Sequence, residues 1–237
     1  MLALKVVAEG YVTSFRYHDF MWEKQPTYEM PPPATIYGHI CSAVGDWIDP
    51  SGVRFAYHFT YRAKFEDLEH IWTWDDKLKR ETSKPFRREL LFQPRLILYL
   101  NRPDLEQAFR SPVYPVVLGR SQDLFSYVSV ETVTLAQVDS AYFEHTLLPY
   151  NVNRHTSAGY AITLPRYLDY ERSRTPDFGR YFVVKDRIDT RTDFMWFGER
   201  PIQHYWIDPT SPEVRGVQLG LQFLSFVGDE DEFASVA

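Results

Sequence analysis

The chain has 237 residues, of which 44% are hydrophobic and 16% aromatic, a composition typical of a globular protein with large β-sheets. Its formal net charge of −6 argues against a protein that coats nucleic acid over its whole surface, but it allows a local basic face. The single cysteine, Cys41, excludes an intrachain disulfide and a paired-cysteine zinc site, and the absence of a signal peptide or a long apolar run predicts a soluble cytoplasmic protein with no membrane contact.

The N-terminal pattern predicts a strand, an irregular segment and a helix. Residues 2–8 alternate and are rich in Val and Leu, whereas residues 11–33 are rich in aromatic residues and proline. Helical spacing then relates the apolar residues Ile36, Ile40, Ala43, Val44 and Trp47. Pro33 suits the first helical position, and Thr35 is a candidate for a hydrogen bond back to the opening turn. Three consecutive prolines make this helix entrance stiff, which suggests that something is held there.

The middle of the chain predicts further strands and a second helix. In order, these elements are a long strand at 53–65, an excursion at 66–86, a strand at 88–100 with Pro94 at an edge or bulge, a short helix at 103–109 opened by Asn101 as a cap, and a strand at 127–137. The order of strands and helices is that of an α+β, ferredoxin-like (RRM-like) βαββαβ domain over residues 1–137.

The last hundred residues predict a small β-rich C-terminal domain, 138–237, with an acidic tail. Strand candidates lie at 159–164, 180–184 and 203–207. Pro165, Pro176–Asp177 and Asp208–Pro209 are interpreted as turns between them.

Motifs of hydrolases and nucleotide-binding enzymes are absent from the sequence. The seven histidines are scattered, and no two of them have the helical spacing of a metal site. The sequence therefore predicts no metal site, no cofactor and no catalytic residue.

A basic stretch with neighbouring tryptophans is more informative. Residues 77–95 contain seven basic residues against two acidic ones, a net charge of +5 in an acidic chain. The basic residues that we take as RNA-binding candidates are Lys77, Lys79, Arg80, Lys84, Arg87 and Arg88, with Trp72 and Trp74 beside them for base stacking. Stacking of one base contributes roughly 1–3 kcal/mol, so a phosphate-gripping finger is one interpretation and a solvated hairpin is the other.

Two short loops offer further contacts. In TSFRYHDF, Arg16 stands between Phe15 and Tyr17, either in a packed hairpin loop or at a backbone-and-base contact. In VVLGRSQDL, Gly119 precedes the polar residues Arg120, Ser121 and Gln122, as an ordinary turn or as a close backbone approach. Together with the stiff helix start, such elements on a ferredoxin-like sheet are suited to single-stranded RNA.

The order SFR, PPPATIYGHICSAVG, RRELLFQPRLILYL and PVYPVVLGRSQDL resembles the RAMP proteins of CRISPR systems. It is most similar to the subunit of type I Cascade that holds the CRISPR RNA 5′ handle, the fifth numbered Cas protein, with subtype I-B preferred. The match spans roughly residues 1–137. The resemblance implies a non-catalytic RNA-binding subunit of a hetero-oligomeric effector complex for antiviral defence, which contacts the backbone subunit, the large subunit and, through the complex, target DNA.

The resemblance also assigns site residues. It places the thumb of the fold at residues 68–88. The handle-contacting residues that it implies are Ser14, Phe15 and Arg16, then Thr35, Tyr37 and Gly38 at the helix start, and Gly119, Arg120 and Ser121 in the turn. The adjacent residues His39 and Gln122 are further RNA-binding candidates. The helix N-terminus, with its free N–H groups and positive dipole end, would then meet RNA phosphate.

Two other functions remain open. Relatives in subtype I-C cut precursor RNA with a Tyr, a Lys and a His; here Lys84 is followed by Pro85 and no adjacent Lys-His pair occurs, so no catalytic residue is assigned. A metal-independent endoribonuclease with His18 or His39 as base is the alternative. A ferredoxin-like protein that binds a small molecule or protein and no RNA is the third interpretation.

Overall fold

A computed structural model describes residues 1–17, 24–74, 81–151, 158–193, 195–197 and 200–228. Within these ranges, no helix has the length and apolar character needed to cross a membrane. The elements of the first part of the chain are β1 (Leu2–Gly10), β2 (Val12–Thr13), β3 (Phe15–Arg16), β4 (Lys24–Gln25), β5 (Thr27–Tyr28), α1 (Pro33–Val44), β6 (Arg54–Thr60), β7 (Ala63–Trp74), β8 (Glu81–Phe92), β9 (Arg95–Leu100), a 3-10 turn (Pro103–Leu105), α2 (Glu106–Arg110), β10 (Phe125–Thr134) and β11 (Ala136–Val138).

Short strands dominate the second part of the chain, apart from one long hairpin. These elements are β12 (Tyr142–Phe143), β13 (Thr146–Pro149), β14 (Gly159–Asp169), β15 (Thr175–Val184), β16 (Ile188–Asp189), β17 (Trp196–Phe197), β18 (Arg200–Pro201), β19 (Tyr205–Ile207), β20 (Glu213–Val214), β21 (Val217–Gln218), β22 (Gly220–Leu221) and β23 (Leu224–Ser225). The three strand candidates of the C-terminal part are therefore present, and the first two are longer than predicted.

The central sheet has the strand order β10-β1-β9-β6-β23, and its neighbours run antiparallel. In chain order, α1 connects β1 to β6 and α2 lies between β9 and β10. Each connection therefore returns the chain to the sheet one strand further away: β9 lies between β1 and β6, and β1 lies between β9 and β10. The residues predicted as one strand at 53–65 divide instead after Thr60, because the chain leaves the sheet there to form the β7–β8 hairpin.

Helix α1 covers one face of this sheet. Ile36, Ile40 and Ala43 are at most 2% exposed, as the helical spacing predicted. Full burial of such a side chain contributes roughly 1.5–3 kcal/mol, so this stripe anchors the helix. Trp47 does not extend the stripe: the helix ends at Gly45, which has a left-handed φ of 88°, and Trp47 is 53% exposed.

The two predicted helix caps do not form, whereas the predicted interruption of the strand at Pro94 is present. Thr35 makes no side-chain cap bond at the start of α1. Asn101 does not cap the second helix either; its amide accepts from the backbone N–H of Arg54 and donates to the carbonyl of Gly52. The predicted strand at 88–100 is interrupted before Pro94, where Gln93 has a φ of 49°.

The β14–β15 hairpin corrects two predicted turns. Pro165 and Pro176 lie within its strands, and the chain reverses at residues 170–174 instead. Pro165 falls at a register shift, and Pro176 falls where β15 extends beyond its pairing with β13, so neither proline interrupts a ladder on both sides. Asp208–Pro209 does precede a turn, as predicted.

Residues after position 137 share the core around α1. Leu147, Tyr181 and Phe226 belong to the same buried cluster as Ile36 and Tyr57, and β23 pairs with β6. The division into domains 1–137 and 138–237 stays a prediction, and these contacts are the ones that any such boundary would cross.

Candidate nucleic-acid interface

A polar cavity of about 420 Å³ lies where β2 and β3, the start of α1, the 119–122 turn and the β7–β8 hairpin meet. Its lining residues are Ser14, Phe15, Arg16, Thr35, Glu69, Arg88, Gly119, Arg120, Ser121 and Gln122. All of them except Glu69 are residues that the sequence singled out. We call this space the arginine cavity. The fold thus brings together loops that are more than a hundred residues apart in the chain.

Asp123 holds two of these loops together. Its buried carboxylate accepts hydrogen bonds from the backbone N–H groups of Ser14 at 3.1 Å and Arg120 at 2.9 Å. Thr13 donates its hydroxyl to the carbonyl of Leu118 beside it. The end of β2 and the 119–122 turn therefore form one hydrogen-bonded unit, which fixes the wall of the arginine cavity.

Gly119 is required at this junction. Its φ of 108° lies in the region that favours glycine, and a Cβ there would lie 2.9 Å from both the Asp123 Oδ2 and the Ser14 carbonyl oxygen. A larger residue would therefore push the turn away from β2. The close backbone approach that the sequence suggested is an approach to this chain's own strand.

The two deepest arginines of the arginine cavity are already paired. Arg120 donates Nη2 to Asp123 Oδ1 at 2.8 Å and Nη1 to Glu69 Oε1 at 2.7 Å. Arg88 donates Nε to Glu69 Oε2 at 2.9 Å and Nη1 to the side-chain oxygen of Gln25. One carboxylate, from strand β7, therefore bridges two guanidinium groups across the cavity, in the way that a phosphate group can. Neither Glu69 nor Asp123 was expected at this site; the spacing of Asp123 three residues after Arg120 was the one local signal.

Arg16 is the exposed cation of the arginine cavity. No hydrogen bond or ion pair engages its guanidinium within the part of the chain that the structure describes. Its neighbour Phe15 is 2% exposed and packs edge-on against Phe59 at 5.4 Å between ring centroids. Phe15 therefore belongs to the core and lines the cavity from behind, whereas Arg16 is available to an anionic ligand.

The arginine cavity is also lined by a buried hydroxyl that makes no hydrogen bond to the described residues. Ser14 lines the arginine cavity, is 2% exposed, and its Oγ has no hydrogen-bond partner among the described residues. A buried hydroxyl without a partner is costly, which indicates a ligand or a solvent molecule as its partner.

The start of α1 offers fewer donors than the sequence suggested. Pro33 has no N–H, and the N–H groups of Thr35 and Ile36 both donate to the Pro32 carbonyl, at 2.8 and 3.2 Å. The prediction that free N–H groups there meet phosphate is therefore wrong for these positions. The positive end of the helix dipole and the Thr35 hydroxyl remain as groups that can attract an anion. The first turn contains no acidic residue that would repel it.

Tyr37 and His39 point away from the arginine cavity. Tyr37 is 1% exposed and donates its hydroxyl to the Ile48 carbonyl at 2.6 Å. His39 is buried, with Nδ1 2.9 Å from the Val117 carbonyl and Nε2 3.0 Å from the Tyr127 hydroxyl. The carbonyl can only accept, so Nδ1 carries the proton and Nε2 accepts from Tyr127. Burial lowers the pKa of His39, so it is neutral near pH 7.

The segment predicted as the thumb, residues 68–88, lies within a longer two-stranded hairpin formed by β7 and β8. Trp72 and Trp74 are 63% and 57% exposed and share one face with Arg87, whereas Lys84 lies on the other face. Neither tryptophan nor these two cations line the arginine cavity. Of the remaining basic candidates, Lys77, Lys79 and Arg80 lie outside the described residues, as does His18.

Within the described ranges, no group of three or more His, Cys, Asp or Glu side chains is placed to hold a metal ion. The cavity walls are instead built from guanidinium groups, hydroxyls and backbone amides. This donor set is suited to an anion such as a phosphodiester.

Comparison with solved structures defines the fold. The structure described as "CRISPR RNA-guided surveillance complex" is similar with a TM-score of 0.54 and 12% identity, over 79% of this chain and 89% of that chain. The "Crystal structure of a CRISPR protein from Archaeoglobus fulgidus" gives 0.50 and 12%, over 93% and 98%. No protein-family model and no curated protein matches the sequence. The chain therefore has the α+β fold of these CRISPR-associated proteins.

Proposed function

We propose that this protein is a non-catalytic RNA-binding subunit of a type I CRISPR effector complex, Cascade, and that it holds the 5′ handle of the CRISPR RNA. The observation that carries the proposal is the arginine cavity, which gathers Arg16, the 119–122 turn and the start of α1 in one anion-binding space. The fold shared with CRISPR-associated proteins supports it. The strand order of the central sheet supports a ferredoxin-like, RAMP-type domain.

The charge of the arginine cavity is suited to phosphate. Three arginines (Arg16, Arg88 and Arg120) face two carboxylates (Glu69 and Asp123), which leaves one net positive charge in a chain of net charge −6. Arg16 binds the phosphate, the Ser14 hydroxyl donates to it, and Arg120 is held in place by Asp123 as a second contact. The phosphate displaces the Glu69 carboxylate from Arg88 or Arg120, or binds these arginines together with it.

The thumb extends the RNA path beyond the cavity. Trp72 and Trp74 are exposed apolar rings on the same face of the hairpin as Arg87, which is the composition of a surface that stacks bases or contacts a neighbouring subunit. On this proposal the chain joins the backbone and large subunits of a cytoplasmic subtype I-B complex, which reads target DNA by guide pairing.

The endoribonuclease alternative needs a general base, and no observation favours it. Both ring nitrogens of His39 are occupied by Val117 and Tyr127, and His18 lies outside the described residues. Activation of a 2′-hydroxyl requires a free lone pair at the cleavage site. We therefore propose that the protein binds RNA without cutting it.

RNA binding by the purified chain tests this proposal. The probe is a short single-stranded RNA with the 3′ portion of a CRISPR repeat, measured by fluorescence anisotropy at two salt concentrations and followed by gel analysis. Arg16→Ala should weaken binding by roughly tenfold to a hundredfold, because a hydrogen bond to a charged group contributes roughly 1.5–3 kcal/mol. Arg191→Ala, which removes an exposed arginine that does not line the arginine cavity, is the control. Cleaved RNA, or equal binding by both variants, would contradict the proposal.

A further inference from the structure

A second cavity, of about 440 Å³, lies between α1 and the β14–β15 hairpin. We propose that it binds one unstacked nucleobase of the RNA whose phosphate occupies the arginine cavity, an inference that rests on the proposed function. We call it the hairpin cavity. Its volume is in the range of small-ligand pockets, roughly 300–1,000 Å³.

The two cavities adjoin. Thr35 and Gly119 line both of them, one on α1 and the other in the 119–122 turn. A ligand that spans this shared edge needs an anionic group on one side and a mainly apolar group on the other. A nucleotide of single-stranded RNA has this arrangement, because its phosphate and its base are held apart by the ribose.

The walls of the hairpin cavity have the chemistry that stacks a base. Pro165, Leu168 and Pro176 supply apolar surface, and Phe178 on β15 is 37% exposed. Arg174, in the turn of the hairpin, also lines the cavity. Recognition of unpaired bases relies on aromatic rings and guanidinium planes of this kind.

The guanidinium of Arg174 is also supported. It lies 5.8 Å from the ring centroid of Tyr170, whose other contacts include Trp47 and Tyr37. Tyr170 is therefore a packed wall that positions the cation, and Phe178 lines the same cavity with part of its side chain exposed.

The floor of the hairpin cavity is a helix face without a side chain at its centre. A Cβ on Gly38 would have no heavy atom within 4 Å, so packing within this chain does not require glycine there. Glycine is disfavoured within a helix, and its presence keeps the floor open. Thr35 and Ser42 stand on either side of it, and neither hydroxyl has a hydrogen-bond partner among the described residues. These hydroxyls can bond the edge of a base.

The test combines protein variants with RNAs that lack single bases. The full chain is titrated with the same repeat-derived RNA and with a series in which one base at a time is replaced by hydrogen. Phe178→Ala should weaken binding of the intact RNA about tenfold. Gly38→Leu should weaken it similarly by filling the cavity, while its thermal stability is unchanged or higher because leucine favours a helix. Trp196→Ala, at a similarly exposed aromatic residue that lines neither cavity, is the control.

One position in the RNA should show coupling. Removing the base that occupies the cavity should weaken RNA binding to the wild-type chain. On that RNA, Phe178→Ala should bind with the same affinity as the wild type. The nucleobase site is refuted if Phe178→Ala and Gly38→Leu bind intact RNA with wild-type affinity. It is also refuted if removing each base in turn weakens binding to the wild type and to Phe178→Ala by the same factor. Loss of binding in Arg16→Ala alone would then leave the proposed function standing, whereas RNA binding insensitive to Arg16 would refute both.

Discussion

Glu69 gives the sharpest prediction, because it occupies the place where the account puts phosphate. Its carboxylate bridges Arg120 at 2.7 Å and Arg88 at 2.9 Å, within the arginine cavity. Glu69→Gln keeps the side-chain shape and raises the net charge of the cavity from one to two. Two unit charges about 4 Å apart interact by roughly 4 kcal/mol at an effective dielectric of 20. Glu69 is 27% exposed, and screening reduces this to about 1–2 kcal/mol, or roughly tenfold tighter RNA binding.

Stability should change in the opposite direction. The variant loses one charge-assisted hydrogen bond, while Arg120 keeps Asp123 and Arg88 keeps Gln25, so the free energy of unfolding should fall by about 1–2 kcal/mol. Anisotropy at several salt concentrations measures affinity, and urea unfolding measures stability. Glu66→Gln, on the same strand but outside the cavity, is the charge-matched control. Equal or weaker RNA binding by Glu69→Gln than by Glu66→Gln would refute the reasoning.

Three further predictions concern the fold that builds the site. Gly119→Ala should lower the free energy of unfolding by about 2–4 kcal/mol, measured in urea, because its Cβ would meet the Ser14 carbonyl at a strained φ; equal stability would contradict this. Burial lowers the pKa of His58 to about 4, so the unfolded chain binds more protons between pH 6.5 and pH 4, and stability should fall by about 3 kcal/mol across that window as the pH falls. His58→Gln should flatten that profile; an unchanged slope would contradict it. Burial alone would raise the pKa of Asp208, but hydrogen bonds from Lys5 and Thr210 hold it below its usual value, so its contribution is lost only as the pH falls below about 3.8. Asp208→Asn should lower the free energy of unfolding at pH 7 by about 2–3 kcal/mol, measured by calorimetry, because Lys5 loses its charged partner at 2.6 Å. Lys5 has a second, exposed partner in Glu131, and a smaller loss in Asp208→Asn than in Glu131→Gln would contradict this prediction.

Local patterns predicted the elements and much of the candidate site. Helical spacing identified the buried face of α1, and alternation and turn signals located several of the strands along the chain. The loops around Arg16 and Gly119 were singled out from their composition, and the fold brings both to one cavity. Such features are encoded within a few residues, so the sequence can show them.

Pairing across the fold could not be predicted in the same way. Glu69 lies 51 residues from Arg120, and nothing in an alternating strand shows which carboxylate will meet which arginine. Phe15 and Tyr37 were expected at the RNA, yet their rings fill the core, because apolar contact decides the direction of a side chain that short motifs leave open. Pro165 and Pro176 suggested turns, but both are tolerated where a strand edge needs no donor.

A structure of the full chain with the repeat-derived RNA would test the central claim most directly. The account predicts a phosphate in the arginine cavity, with its oxygens within hydrogen-bond distance of the Arg16 guanidinium and the Ser14 Oγ, and with Glu69 moved from at least one of its two arginines. RNA bound elsewhere on the protein, with Glu69 still bridging Arg88 and Arg120, would contradict it.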